Sequence, residues 1–116
     1  MIDRPPLTTD DRRKHSRRAL RVPAKISLRG GQILDVRTFD ISVGGLAIIA
    51  AAAPRPATAF RVAFALPREP KAEILIEAEA EVLHSFYSNA ERAHIVGLRF
   101  TQVAPQAASA ITIFVG

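Results

Sequence analysis

The alternation of apolar and polar residues predicts a chain built mainly from β-strands. Side chains on a strand point alternately to its two faces, so a half-buried strand repeats every second residue. Residues 22–29 show this pattern, with one apolar face formed by Val22, Ala24, Ile26 and Leu28. Gly30-Gly31, a pair that adopts positive φ at low cost, predicts a hairpin turn, and residues 32–39 form the predicted returning strand.

Four further strands are predicted at residues 46–50, 60–66, 73–86 and 95–100, and residues 87–94 are expected to be a polar connection. Pro67 is expected to stop the second of them, because proline cannot donate to a strand ladder. Residues 72–83 are also rich in helix formers, but strict alternation of apolar residues with Glu77, Glu79 and Glu81 favours a strand there. The glutamates then form a solvated outer face.

After Pro105, residues 106–115 are compatible with a short helix that has Ala108, Ile111 and Val115 on one side. Short turns, about six strands and one terminal helix are typical of a small barrel rather than a sandwich. The predicted fold is therefore mainly β: a small six-stranded antiparallel β-barrel with a short C-terminal helix and a flexible N-terminal arm.

The N-terminal segment lacks the strand pattern. Residues 1–11 contain two prolines and few large apolar groups, which predicts a flexible tail. Residues 12–21 are too charged for a strand and have no apolar face for a docked helix, so we expect an arm whose order depends on what it contacts. The predicted organisation is a tail (1–11) and one domain (12–116) that includes the arm (12–21).

Composition removes several classes of function. The chain has 116 residues and no cysteine, which excludes disulfides, thiolate zinc sites and cysteine nucleophiles. Its three histidines have no metal-ligand spacing, and Ser42 lacks the strand-to-helix nucleophile elbow, so we expect no metal and no catalysis. The start has no apolar run and no apolar stretch is long enough to span a bilayer, which makes the cytoplasm the expected compartment.

Charge is concentrated near the N-terminus. The formal net charge is +5, and the segment from residue 12 to residue 29 contains only basic charges: Arg12, Arg13, Lys14, Arg17, Arg18, Arg21, Lys25 and Arg29. Such a segment predicts an anionic partner, most commonly phosphate in a nucleotide, a nucleic acid or a membrane surface.

Two short motifs in this chain carry candidate binding chemistry. The first is Arg13-x-x-x-Arg17, preceded by Arg12; guanidinium groups pair with phosphate oxygens and with the O6/N7 edge of guanine. Alone, this spacing in an arginine-rich chain is more often a solvated basic arm. The second is Asp40-x-Ser42-x-x-Gly45, which predicts a turn capped by Asp and Ser with its glycines at strained φ. A carboxylate there can also accept hydrogen bonds from guanine N1–H and N2–H₂.

The order and spacing of the two motifs resemble those of the PilZ family, over roughly residues 12–114. The resemblance implies a six-stranded barrel that binds cyclic di-GMP. It implies that Arg13 and Arg17 hold phosphates and guanine edges and that Asp40 and Ser42 hydrogen-bond a guanine. It also implies close backbone approach at Gly44 and Gly45, and it associates Arg12 with binding of an intercalated ligand pair rather than one molecule.

The function implied by this resemblance is that of a cyclic di-GMP receptor without a cofactor. Its arginine-rich arm would order around the dinucleotide, and the altered surface would signal to a downstream protein partner in motility, exopolysaccharide or biofilm control. The alternative is a basic β-barrel that binds nucleic acid, although one Tyr and no Trp leave few platforms for base stacking. A third possibility, a pure protein-interaction module, has no need of the complete set of motif residues.

Overall fold

The computed structural model describes residues 16–68 and 71–116. Within them lie seven strands and one helix: β1 Arg18–Ala19, β2 Pro23–Ser27, β3 Ile33–Ile41, β4 Gly45–Ala50, β5 Ala59–Arg68, β6 Ala72–Ser88, β7 Ala93–Val103 and α1 Pro105–Val115. No helix in the described ranges is both long enough and apolar enough to cross a membrane.

Six of the strands close into a barrel. The order β3-β2-β5-β6-β7-β4 is completed by pairing of β4 with β3, and every neighbouring pair is antiparallel. Closure satisfies strand edges that would otherwise be exposed. The predicted six-stranded antiparallel barrel and C-terminal helix are therefore confirmed, whereas the predicted tail and residues 12–15 of the predicted arm lie outside the described residues.

Strand β1 is the part of the arm for which the sequence prediction was wrong. It pairs Arg18 with Ile41 and Ala19 with Asp40, beyond the end of the β2–β3 ladder. A charged segment can still form a short strand, because successive side chains point to opposite faces and leave the backbone free to pair. The segment from residue 18 onward therefore belongs to the fold.

The barrel interior is filled by the alternating apolar residues. On β6 the buried side chains are Ile76, Ala78, Ala80 and Val82, which confirms the strand interpretation over the helical one. The outward glutamates are partly paired across strands, Glu79 with Arg61 at 3.5 Å and Glu81 with Arg99. The predicted outer face is thus acidic but interleaved with arginine.

Several predicted strand boundaries were wrong. Pro67 does not stop β5, which continues to Arg68. Strand β2 pairs with β5 only as far as Phe64, so beyond that point one edge of β5 carries no ladder and tolerates a proline. The connection predicted at 87–94 shrinks to residues 89–92.

Helix α1 packs across one end of the barrel through Ala107 and Ile111. The prediction of Ile111 on the packed side is confirmed. Ala107 is more deeply buried than the predicted Ala108 and Val115, both of which are only half-buried.

Thr38 is a fully buried polar residue that holds the segment after β1 against β3. The Val22 N–H donates to Thr38 Oγ1 at 2.9 Å, and the Thr38 hydroxyl donates to the Leu20 carbonyl. The Thr38 N–H donates in turn to the Val22 carbonyl at 2.9 Å. Thr38 thereby holds residues 20–22 against β3, and this positions the preceding residue 17 at the barrel.

We expect Thr38→Val to lower the free energy of unfolding by about 1–3 kcal/mol, because it leaves a part-buried N–H and a buried carbonyl without their side-chain partner. Urea denaturation of the two proteins measures the difference. Thr38→Ser keeps the hydroxyl and is expected to lose clearly less. Equal losses of stability for the valine and serine variants would show that the Thr38 hydroxyl does not hold this segment.

Candidate functional site

The candidate site forms where the N-terminal segment meets the turn between β3 and β4. Because β1 pairs with the end of β3, Arg17 lies beside Asp40. Arg17 Nε and Nη2 lie 2.9 and 2.8 Å from Asp40 Oδ1, and Nη1 lies 3.4 Å from Ser42 Oγ. The structure thus brings together the described parts of the two motifs.

The β3–β4 turn is closed by Ser42 and Gly45. The Ser42 N–H donates to the Gly45 carbonyl at 2.8 Å, and the Gly45 N–H lies 3.1 Å from Ser42 Oγ and 3.4 Å from the Ser42 carbonyl. Ser42 is buried, so its hydroxyl serves the turn itself. The predicted capping role of this serine is confirmed.

Gly45 is required for a reason other than the predicted strained φ. Its φ does not lie in the left-handed region, unlike those of Gly30 and Gly31, which are +97° and +95° in the β2–β3 hairpin. A Cβ built on Gly45 would instead lie 2.1 Å from the carbonyl oxygen of Leu98. Neighbouring Gly44 accepts a hydrogen bond from the Phe100 N–H at 2.9 Å. The glycines therefore seat the turn directly against β7.

Arg17 is held loosely enough to exchange partners. Its side chain is 45% exposed and that of Asp40 is 23% exposed. An ion pair at such a surface contributes only about 0–1 kcal/mol. An incoming anion can therefore take the Arg17 guanidinium at little cost, which frees the Asp40 carboxylate to accept hydrogen bonds from N–H donors.

Two further arginines of the basic segment, Arg18 and Arg21, have structural partners that the sequence did not reveal. Arg18 Nη1 donates to the Phe114 carbonyl at 2.7 Å, and its guanidinium lies 4.1 Å from the centre of the Phe114 ring. This contact satisfies a carbonyl at the C-terminal end of α1, where positive charge is favourable.

Arg21 is engaged in a similar way. It forms two hydrogen bonds with the Glu91 carboxylate, at 3.3 and 3.1 Å, and lies 4.6 Å above the Phe39 ring. Since Arg18 and Arg21 are committed to the fold, Arg17 is the described arginine of the segment that is directed to the β3–β4 turn. Arg12 and Arg13 lie outside the described residues.

Comparison with known families agrees with this arrangement. The family model of the PilZ domain matches residues 11–115. The chain belongs to the PilZ domain family. No curated protein is significantly similar to this PilZ domain in sequence.

Solved structures share the barrel. The Bacillus subtilis inhibitor of motility (MotI/DgrA) superposes with a TM-score of 0.79 at 21% identity, covering 98% of this chain and 50% of that one. The PilZ domain of YcgR from Escherichia coli, with c-di-GMP, gives a TM-score of 0.64 at 15% identity and covers 89% of this chain and 88% of that one. PlzA of Borreliella burgdorferi, in complex with c-di-GMP, gives a TM-score of 0.54 at 19% identity and covers 100% of this chain and 38% of that one.

At these identities the likeness shows the fold alone. This PilZ domain spans half the length of the Bacillus protein. The family resemblance stated from the sequence is confirmed, and the roles of individual ligand-binding residues stay predictions.

Proposed function

We propose that this PilZ domain is a receptor for cyclic di-GMP. The observation that carries the proposal is the placement of Arg17 on Asp40 and next to Ser42, which joins an anion-binding group to a base-binding group at an accessible surface. Membership of the PilZ family supports it, as do the similar Escherichia coli and Borreliella domains whose structures include this ligand.

The ligand offers two phosphates and two guanines, and the proposed site has a group for each kind. Arg13 and Arg17 bind phosphate oxygens or the guanine O6/N7 edge, since the guanidinium fork fits both. Asp40 accepts from guanine N1–H and N2–H₂ once Arg17 has turned to the ligand. Ser42 Oγ, which Arg17 Nη1 reaches at 3.4 Å, adds a hydrogen bond to the base after Arg17 has turned away. Gly44 and Gly45 place no side chain between the backbone of the turn and the base, although at Gly45 the space of the missing side chain is taken by the Leu98 carbonyl.

The arm that carries Arg12 and Arg13 orders around the dinucleotide in this proposal. Ordering a segment on binding costs about 2–5 kcal/mol of the gross interaction free energy. Several arginine contacts, each worth about 1.5–3 kcal/mol, offset that cost and leave roughly −8 kcal/mol, which corresponds to micromolar affinity. Because residues 18–21 are part of the fold, the rearranging segment ends near Arg17.

Titration calorimetry tests the proposal. We expect the folded protein to bind cyclic di-GMP with a Kd of about micromolar order and to give no comparable heat with cyclic di-AMP, which lacks the guanine edge. We also expect two ligand molecules per chain, and fewer for Arg12→Ala. Absence of heat from a well-folded sample would refute the receptor function.

A nucleic-acid-binding barrel is the function to be distinguished, and salt dependence does so. Binding to single-stranded DNA through phosphates falls steeply and uniformly as salt is raised. The internal partners of Arg18 and Arg21 reduce the charge available for such binding. Stronger binding to DNA than to the dinucleotide would favour that alternative.

The bound state signals to a partner protein in this proposal, in motility, exopolysaccharide or biofilm control. The similar Bacillus subtilis protein is named an inhibitor of motility.

A further inference from the structure

A groove lies between helix α1 and the ends of β5 and β6. Its volume is about 740 Å³. Its lining includes the apolar side chains of Leu66, Ile74, Ile113 and Phe114 and the two cations Arg18 and Arg68. None of the described residues proposed to bind the dinucleotide lines it.

The helical side of the groove carries no charge, and a large apolar side chain on it is exposed to solvent. Helix α1 contains no acidic or basic residue, and Ile113 on it is 77% exposed. Large apolar side chains left in water beside a concave surface mark sites where another molecule packs. The volume also falls within the range of about 300–1,000 Å³ that is typical of binding sites.

Among the described residues, the charged side chains that line the groove are all positive. Arg18 is fixed on the Phe114 ring and carbonyl, and the side chain of Arg68 forms no hydrogen bond or ion pair with any residue in the ranges 16–68 and 71–116. No carboxylate from those ranges lines the groove. An occupant that fits therefore combines apolar groups with a carboxylate, which arginine binds in a bidentate manner.

We propose that this groove is the docking site for a segment of a partner protein that carries apolar side chains next to Asp or Glu. The apolar anchors pack against Ile113, Ile74 and Phe114, and the carboxylate pairs with Arg68 at the rim. A receptor that signals to a partner needs such a surface. The groove itself is nevertheless argued from its own residues, independently of dinucleotide recognition.

Selection of peptides on the full chain tests the proposal. A displayed library of random 12-residue peptides supplies the probe, and selected peptides are measured individually by fluorescence polarisation. We expect them to combine apolar residues with Asp or Glu and to compete for one site. Ile113→Glu is expected to weaken their binding about tenfold or more. The substitution removes a central apolar contact and places a negative charge next to the acidic residue of the peptide.

Two controls make the outcome specific. Ile33→Glu changes a comparably exposed isoleucine, at 59%, on β3, and is expected to leave peptide binding unchanged. Arg68→Glu is expected to weaken binding, and replacing the acidic residue of the peptide with Arg should restore it. Arg55→Glu, an exposed change elsewhere, should not show this reversal.

Several results would overturn the docking site: no selected peptide, peptides without acidic residues, or binding that Ile113→Glu leaves intact. Sedimentation of the wild-type protein addresses the other occupant. A dimer that dissociates on Ile113→Glu would show that a second copy fills the groove. Calorimetry with cyclic di-GMP on the same variants keeps the two proposals apart, since failure of peptide binding leaves the dinucleotide titration unchanged.

Discussion

Replacing Arg17 with alanine is expected to weaken cyclic di-GMP binding by about 10- to 100-fold while the barrel remains folded. One charge-assisted hydrogen-bonding group contributes about 1.5–3 kcal/mol, and each 1.4 kcal/mol is about a factor of ten in Kd. The fold tolerates the change because the Arg17–Asp40 pair lies at the surface and adds little stability. Titration calorimetry and thermal unfolding of the same samples measure both effects.

Arg21→Ala is the matched control for this variant. It removes the same charge from the same segment, but the Arg21 guanidinium pairs with Glu91 rather than with the β3–β4 turn. We expect its effect on binding to be small. Arg17→Lys keeps the charge without the planar fork and is expected to lose most of the affinity. Equal weakening by the alanine variants of Arg17 and Arg21 would indicate a general basic field and would favour the nucleic-acid alternative.

The sequence could predict the barrel because its signal is local. Strands alternate every second residue, and that pattern alone places residues such as Ile76 and Val82 inside and Glu77 and Glu79 outside. The hairpin at Gly30-Gly31 is equally local, since positive φ is a property of the glycines themselves. The meeting of Arg17 with Asp40 was less direct, because it depends on the family's motif order.

What the sequence could not predict depends on distant pairs. Arg18 contacts Phe114, a residue 96 positions away, and Arg21 contacts Glu91, 70 positions away. The Arg13-x-x-x-Arg17 motif separates Arg17 from these two arginines, but nothing within residues 12–21 indicates what Arg18 and Arg21 contact. The structural roles of Arg18 and Arg21 therefore required the tertiary structure.

Gly45 shows how a motif residue can be predicted for the wrong reason. The motif identified the position, and turn chemistry suggested strained φ, but the structure gives a steric cause. Gly45 lies opposite Arg99 in the β4–β7 ladder, and the carbonyl of Leu98 occupies the space of its missing side chain. The requirement is thus built into barrel closure and exists whether or not a ligand is bound.

Gly45→Ala is accordingly expected to cost about 3 kcal/mol or more of folding free energy and to lower Tm by more than about 10 °C. The backbone fixes the position of a Cβ, so one that would lie 2.1 Å from a backbone oxygen can be accommodated only if the β4–β7 ladder opens. Gly97→Ala is the matched control, since its Cβ meets the exposed His84 ring at 2.8 Å, and that side chain can rotate away. We expect the control to lose less than about 1 kcal/mol. Thermal unfolding of both variants measures the difference, and comparable losses would show that crowding at Leu98 is not what requires glycine at this position.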